Sequence, residues 1–192
     1  MQHSPTEVRR AFGLLFIGIA IAVGVAAVLS EIAYVYNGAF YYYAIIWVTS
    51  FGIVFGATLR KFQNVIPAIR GRMKNSIRWS STAKTLNGVC WAGPFIAIAA
   101  FQSLFQYLIL LGIGLGNLST YVLMKKYSGL DNPEQLIVGL ISLAAIPIAI
   151  EIDTTVFTSS QDIAVMLSRI LISTAYAAGG VYALLARETS VS

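Results

Sequence analysis

The chain has 192 residues, 57% of them hydrophobic and 11% charged, whereas a soluble domain averages roughly 45–50% and 25%. So few charges cannot solvate a globule of this length. The mean hydropathy of +0.75 agrees, and the reading is an integral membrane protein with room for one compact helical domain. The net charge of +5 sits between the apolar runs, so anionic lipid headgroups are the expected partner and nucleic acid is not.

Chemistry is bounded by two counts. Cys90 is the single cysteine and His3 the single histidine. An internal disulfide, a multi-cysteine metal site, haem held by a His pair and a His-based zinc site are excluded within one chain. No cofactor and no enzymatic activity are expected. A Ser/His/Asp or Cys/His set cannot form in the membrane, and no glycine-rich phosphate loop follows a strand.

The segment Ser4-Pro5-Thr6-Glu7 has the form of a helix start, with a capping Ser, a Pro in the first turn and a Glu that closes the box. The apolar run 11–29 follows Arg9 and Arg10. A cleaved signal peptide has an apolar core of about 7–15 residues; this run is longer and reads as a retained first span. A short loop with Glu31, Asn37 and Gly38 leads to a second span over 41–59, ended by Arg60 and Lys61.

Residues 62–79 read as an amphipathic helix. Phe62, Val65, Ile66, Ile69, Met73 and Ile77 share one face, and Arg70, Arg72, Lys74 and Arg78 lie on the rest. Such a helix lies in the cytoplasmic interface with its basic face toward headgroups. It serves either as a topology anchor or as a docking surface for lipid or a partner.

Residues 86–124 are almost continuously apolar. One span needs about 20 residues, so this stretch is either two spans, 86–102 and 105–124, or one span and a half-helix. Asp131-Asn132-Pro133-Glu134 starts a fifth span over 136–152. Ser159-x-x-Asp162 reads as a capping box before the sixth, 163–186.

Charge placement chooses between the counts. With six spans and cytoplasmic termini, twelve of the thirteen basic residues face the cytoplasm and the thirteenth, Arg169, lies within the last span. Glu31, Asp153 and Asp162 fall outside with no Lys or Arg. Five spans would put Lys125, Lys126 and Arg187 outside, against the positive-inside rule. The expected fold is therefore an all-α bundle of six transmembrane helices plus the interfacial helix, in the cell membrane. Pro94 and Pro147 interrupt spans in the two halves, which would make any internal repeat inverted, but the residues do not match.

Small residues recur four apart: Gly18, Ala22 and Ala26; Gly52 and Gly56; Gly93 and Ala97; Gly112 and Gly116; Ala175, Gly179 and Ala183. They suit close helix packing in lipid. The stretch from Gly112 to Asn117 could instead unwind to line a cavity.

The polar residues left inside the spans define a candidate site. Arg169 is costly at membrane depth and needs a partner or water; Glu151, and after it Asp153, are the expected partners from the neighbouring span. Gln102, Gln106 and Asn117 complete the set. The expected function is a small-solute or ion transporter or channel with a polar site in the outer half. The alternative is a non-catalytic subunit of a larger membrane complex, docked to a membrane protein partner or to its own copy. A wet cavity reaching Arg169 favours the first, and a dry bundle with a docking face the second.

Overall fold

The computed structural model describes residues 5–61, 79–129 and 131–185, and these are helical with no strand. Among the described residues six long helices follow one another: α1 (Pro5–Val35), α2 (Phe40–Lys61), α3 (Ser81–Ala97), α4 (Phe105–Ser128), α5 (Pro133–Glu151) and α6 (Gln161–Leu184). A 3-10 turn, Gln102–Leu104, precedes α4, and a π-helical turn, Ile152–Val156, extends α5. The amphipathic segment 62–79, with Arg70, Arg72, Lys74 and Arg78, lies outside the described residues except for Trp79.

Four segments are long and apolar enough to cross a membrane: Arg9–Val35, Gln102–Tyr127, Pro133–Val156 and Asp162–Leu184. The shorter apolar helix Tyr41–Ala57 lies in α2. The helix α3 has 17 residues, about 25 Å at 1.5 Å per residue, which is short of a hydrocarbon core of about 30 Å. Its start lies earlier than the apolar run, at Ser81, because the Ser80 side chain caps it by accepting from the Ala83 backbone N–H at 3.2 Å.

In space the helices run α2–α1–α6–α5–α4–α3, with α4 also touching α6. The pairing of α1 with α6 is the most extensive, and small residues make it so. Ala22, Ala26, Ala175 and Ala183 are completely buried. A methyl group placed on Gly13 would lie 2.9 Å from the Gly180 carbonyl oxygen, and one on Gly180 the same distance from that of Gly13. Ser173 Oγ also donates to the Ala20 carbonyl at 2.7 Å. Elsewhere Gly139 receives Leu118 and Gly114 receives Leu143 where α4 meets α5. Phe16 and Tyr176 meet edge to face, with ring centroids 5.4 Å apart, amid Leu110, Val138, Ala145 and Ile172.

The helix α3 joins α4 through polar and aromatic contacts. Asn87 Oδ1 accepts from Ser119 Oγ at 2.8 Å, and Trp91 Nε1 donates to Thr120 Oγ1 at 3.1 Å. Gly112 and Gly116 accommodate the rings of Phe95 and Trp91. The stretch from Gly112 to Asn117 is therefore continuous helix and does not unwind around a cavity. At the end holding the N terminus, Arg9 Nε lies 3.5 Å from Glu134 Oε2 and the Arg9 guanidinium sits 4.9 Å from the centre of the Tyr182 ring. This joins α1, α5 and α6.

Candidate functional site

The opposite end of the bundle holds Glu31, Asp153, Asp162 and Arg169. The link from α1 to α2 turns tightly there: Asn37 takes a left-handed backbone angle of 52°, and the Gly38 N–H bonds the Ala33 carbonyl at 2.7 Å. Asparagine tolerates that region because its short polar side chain bonds locally. The last turns of α1, the first of α2 and α6, and the turn before α4 then surround a pocket of about 340 Å³. From α1 it is lined by Ser30, Glu31 and Tyr34, and from α2 by Tyr43. Gln102, Ser103, Phe105 and Gln106 form another wall, and Asp162, Val165 and Arg169 of α6 complete it.

Two carboxyl groups and one guanidinium occupy this pocket. Glu31 and Asp162 share the lining with Arg169, whose charge Glu31 feels. Arg169 in turn interacts electrostatically with Glu31 and Tyr43, and its guanidinium lies 5.8 Å from the centre of the Trp47 ring. An aromatic face attracts a cation through its quadrupole. The Arg169 charge thus faces Glu31 of α1 and the Trp47 ring of α2.

A second carboxylate group orients the far wall. Asp153, in the π-helical turn, accepts from Gln106 Nε2 at 3.1 Å and from the Tyr107 hydroxyl. A carboxylate only accepts, so the amide nitrogen of Gln106 faces Asp153 and its oxygen faces away. Gln106 is 3% exposed and Ser30 1%. Gln106 Oε1 and Ser30 Oγ have no hydrogen-bond partner among the described residues. Buried polar atoms are nearly always paired, and two such atoms beside one pocket mark places for a ligand or water to bond.

The expected site residues divide into three groups. Gln102, Gln106 and Arg169 line the pocket, and Asp153 lies behind Gln106. Asn117 lies elsewhere: its Nδ2 donates to the Ile113 carbonyl at 2.9 Å and contacts the Tyr176 hydroxyl at 3.4 Å, in the buried middle of the bundle. Glu151 is exposed and accepts from Thr155 Oγ1 of its own chain segment at 2.9 Å. The expected pairing of Arg169 with Glu151 is thus absent, and the acids that share its pocket are Glu31 and Asp162. The reason is packing: α6 presses its small-residue face on α1, and this brings Arg169 to the Glu31 end of α1.

Sequence reasoning left Glu31 out of the site, and it grouped Asp162 with the outer-half charges around Arg169 without counting it among the site residues. Glu31 reads as a loop acid and Asp162 as a helix cap. In the structure Ser160 holds the cap position of α6 with no side-chain cap bond, and Asp162 turns into the pocket. The signal available was the inventory of acids on the side without Lys or Arg, which already contains both. Among the described residues no three His, Cys, Asp or Glu side chains are grouped to hold a metal ion. Comparison with known protein families, with curated proteins and with solved structures finds no match for this chain.

Proposed function

We propose that the chain is a six-span membrane protein with cytoplasmic termini, and that it moves a small solute or ion through the pocket at its outer end. The observation that carries this reading is the pocket itself. A charged group at membrane depth costs roughly 2.5–3.5 kcal/mol on insertion scales, and a bundle made only for packing has no use for Arg169, Glu31 and Asp162 around empty volume. At the opposite end the Arg9–Glu134 ion pair and the Arg9–Tyr182 contact tie α1, α5 and α6 together. A site open toward one side suits one state of an alternating-access cycle.

Flux tests the reading. Proteoliposomes of the full chain are exposed to isosmotic gradients of potassium, chloride, guanidinium, glycine and glycerol, each followed by light scattering. At least one is expected to move several-fold faster than in protein-free vesicles, and Arg169→Gln is expected to remove that excess. No excess flux for any of them would overturn the proposal.

The orientation has its own test. In a Cys90→Ser background, single cysteines at Asn37 and Thr158 are expected to react with an impermeant thiol reagent added to intact cells, and one at Asn75 only after lysis. Labelling of the Asn75 position in intact cells would reverse the topology.

A second reading, a non-catalytic subunit of a membrane complex, is favoured by α2. Gly52 and Gly56 have no atom within 4 Å of where a Cβ would stand, and Val48 and Ile53 beside them are exposed. A small-residue face of this kind suits close approach of another helix.

A further inference from the structure

We infer that the outer pocket binds a compact zwitterion, a solute of amino-acid size with a carboxylate at one end and an ammonium group at the other. The inference rests on the transporter reading and names its substrate class. The hydroxyls of Ser30, Tyr34, Tyr43 and Ser103 donate or accept, and the amides of Gln102 and Gln106 do both. These groups admit a ligand of any charge. The three ionic groups are selective: Arg169 only donates, and Glu31 and Asp162 as carboxylates only accept. Among the described residues neither acid closes an ion pair with Arg169. Charge of both signs therefore faces one volume without neutralising itself in a direct pair. The Trp47 ring, 5.8 Å from the guanidinium, attracts it without engaging its N–H donors in a hydrogen bond.

Each simpler ligand leaves one sign without a partner. A monocation meets the carboxylates but brings its charge against Arg169. A monoanion meets Arg169 but faces both acids. A neutral solute displaces water from all three groups and returns no charge, and an ion stripped of water without a counter-charge is costly. A zwitterion answers both signs and leaves the net charge of the pocket unchanged. Its carboxylate suits the planar fork of Arg169, which holds such a group through parallel N–H bonds. Its ammonium group donates in three directions, toward Glu31, Asp162 and an orphaned acceptor beside them. Two such acceptors are present: Ser30 Oγ and Gln106 Oε1 have no hydrogen-bond partner, and their residues are 1% and 3% exposed. Gln106 presents its oxygen because Asp153 holds its amide nitrogen. The volume of about 340 Å³ lies at the lower end of small-molecule pockets, which run from about 300 Å³ upward, and so suits a solute of this size.

The test is titration calorimetry on the full chain in lipid nanodiscs. Glycine, β-alanine and γ-aminobutyrate set the two charges at increasing separation, and propylamine, propionate and glycerol supply the positive charge, the negative charge or neither. One zwitterion of the series is expected to bind about ten-fold tighter or more than all three controls, the factor that a single hydrogen bond to a charged group supplies. Arg169→Gln should remove its advantage over propylamine, and the double change Glu31→Gln with Asp162→Asn its advantage over propionate. A residue that only held the fold would weaken every ligand alike. Ser30→Ala, which leaves every charge in place, should weaken zwitterion binding several-fold with unchanged thermal unfolding. The comparison of ligands needs only the parent protein, so it decides the inference even where a charge variant fails to fold. A control that binds as tightly as the best zwitterion would overturn the ligand class, and so would absence of binding by the whole series. Radiolabelled flux of the best binder into proteoliposomes keeps the two readings apart. Binding without flux would overturn transport and leave the ligand class standing. Flux of another solute with no zwitterion binding would overturn the inference and leave the transporter reading standing.

Discussion

Arg9→Ala should cost the protein about 3–5 kcal/mol of stability, the range found when one partner of a buried ion pair is removed. The size follows from Glu134, which is 1% exposed while the Arg9 guanidinium is the cation beside it at 3.5 Å. Removing Arg9 leaves the carboxylate in low dielectric without that cation and also removes the contact with the Tyr182 ring. Glu134→Gln should cost less, because a neutral amide needs no cation. The double change should recover part of the loss, since the two residues are coupled. Thermal unfolding in detergent, followed by tryptophan fluorescence, reads all three. An Arg9→Ala variant within about 0.5 kcal/mol of the parent, the scatter of ordinary surface changes, would show that the pair is not structural.

The second large effect is steric. Leucine at Gly180 has to occupy space where a Cβ alone would meet the Gly13 carbonyl oxygen at 2.9 Å and Ile17 at the same distance. The obstacle is backbone, which cannot rotate away, so α1 and α6 must separate. Overpacking of a core costs about 1–3 kcal/mol even where side chains can adjust, and this site should exceed that range or prevent folding. Gly52→Leu is the control. Nothing stands within 4 Å of that position, and helix propensity favours the change by up to about 1 kcal/mol. Monodispersity on size exclusion and the unfolding midpoint separate the two. Equal tolerance of both substitutions would mean that α1 and α6 do not cross at Gly13 and Gly180.

If the second reading of α2 holds, Gly52→Leu distinguishes the isolated chain from its complex. The substitution would be silent in the purified protein and disruptive only where another helix covers that face.

What the sequence determined by itself was decided by solvent and by counting. An 11% share of charges points to long apolar helices, and four segments are long and apolar enough to cross a membrane. The apolar runs coincide with the helices, as segments compatible with lipid must, since backbone groups there bond within their own segment. Pro133 and Glu134 mark the start of α5, and the polar interruption near Gln102 falls at the turn before α4. One histidine and one cysteine limit the chemistry. Gln102, Gln106 and Arg169 stand out because polar groups inside apolar runs are expensive wherever they end up.

Only the tertiary structure decided which of these polar groups meet. Sequence order puts Glu151 eighteen positions before Arg169 at a similar depth, and neighbouring antiparallel helices offer the short route. The chain instead lays its last helix along its first, because Gly13 and Gly180 let those two backbones approach and Ala22, Ala26, Ala175 and Ala183 line the contact. That choice carries Arg169 to Glu31, a residue 138 positions away, and draws Asp162 from a capping role into the pocket. Helical periodicity places a residue on a face. It does not say which helix that face will meet, since small-residue spacing occurs in five of the six expected spans and each could have served. The partner is fixed by the sum of many close contacts along two whole helices, and that sum exists only when the bundle is assembled.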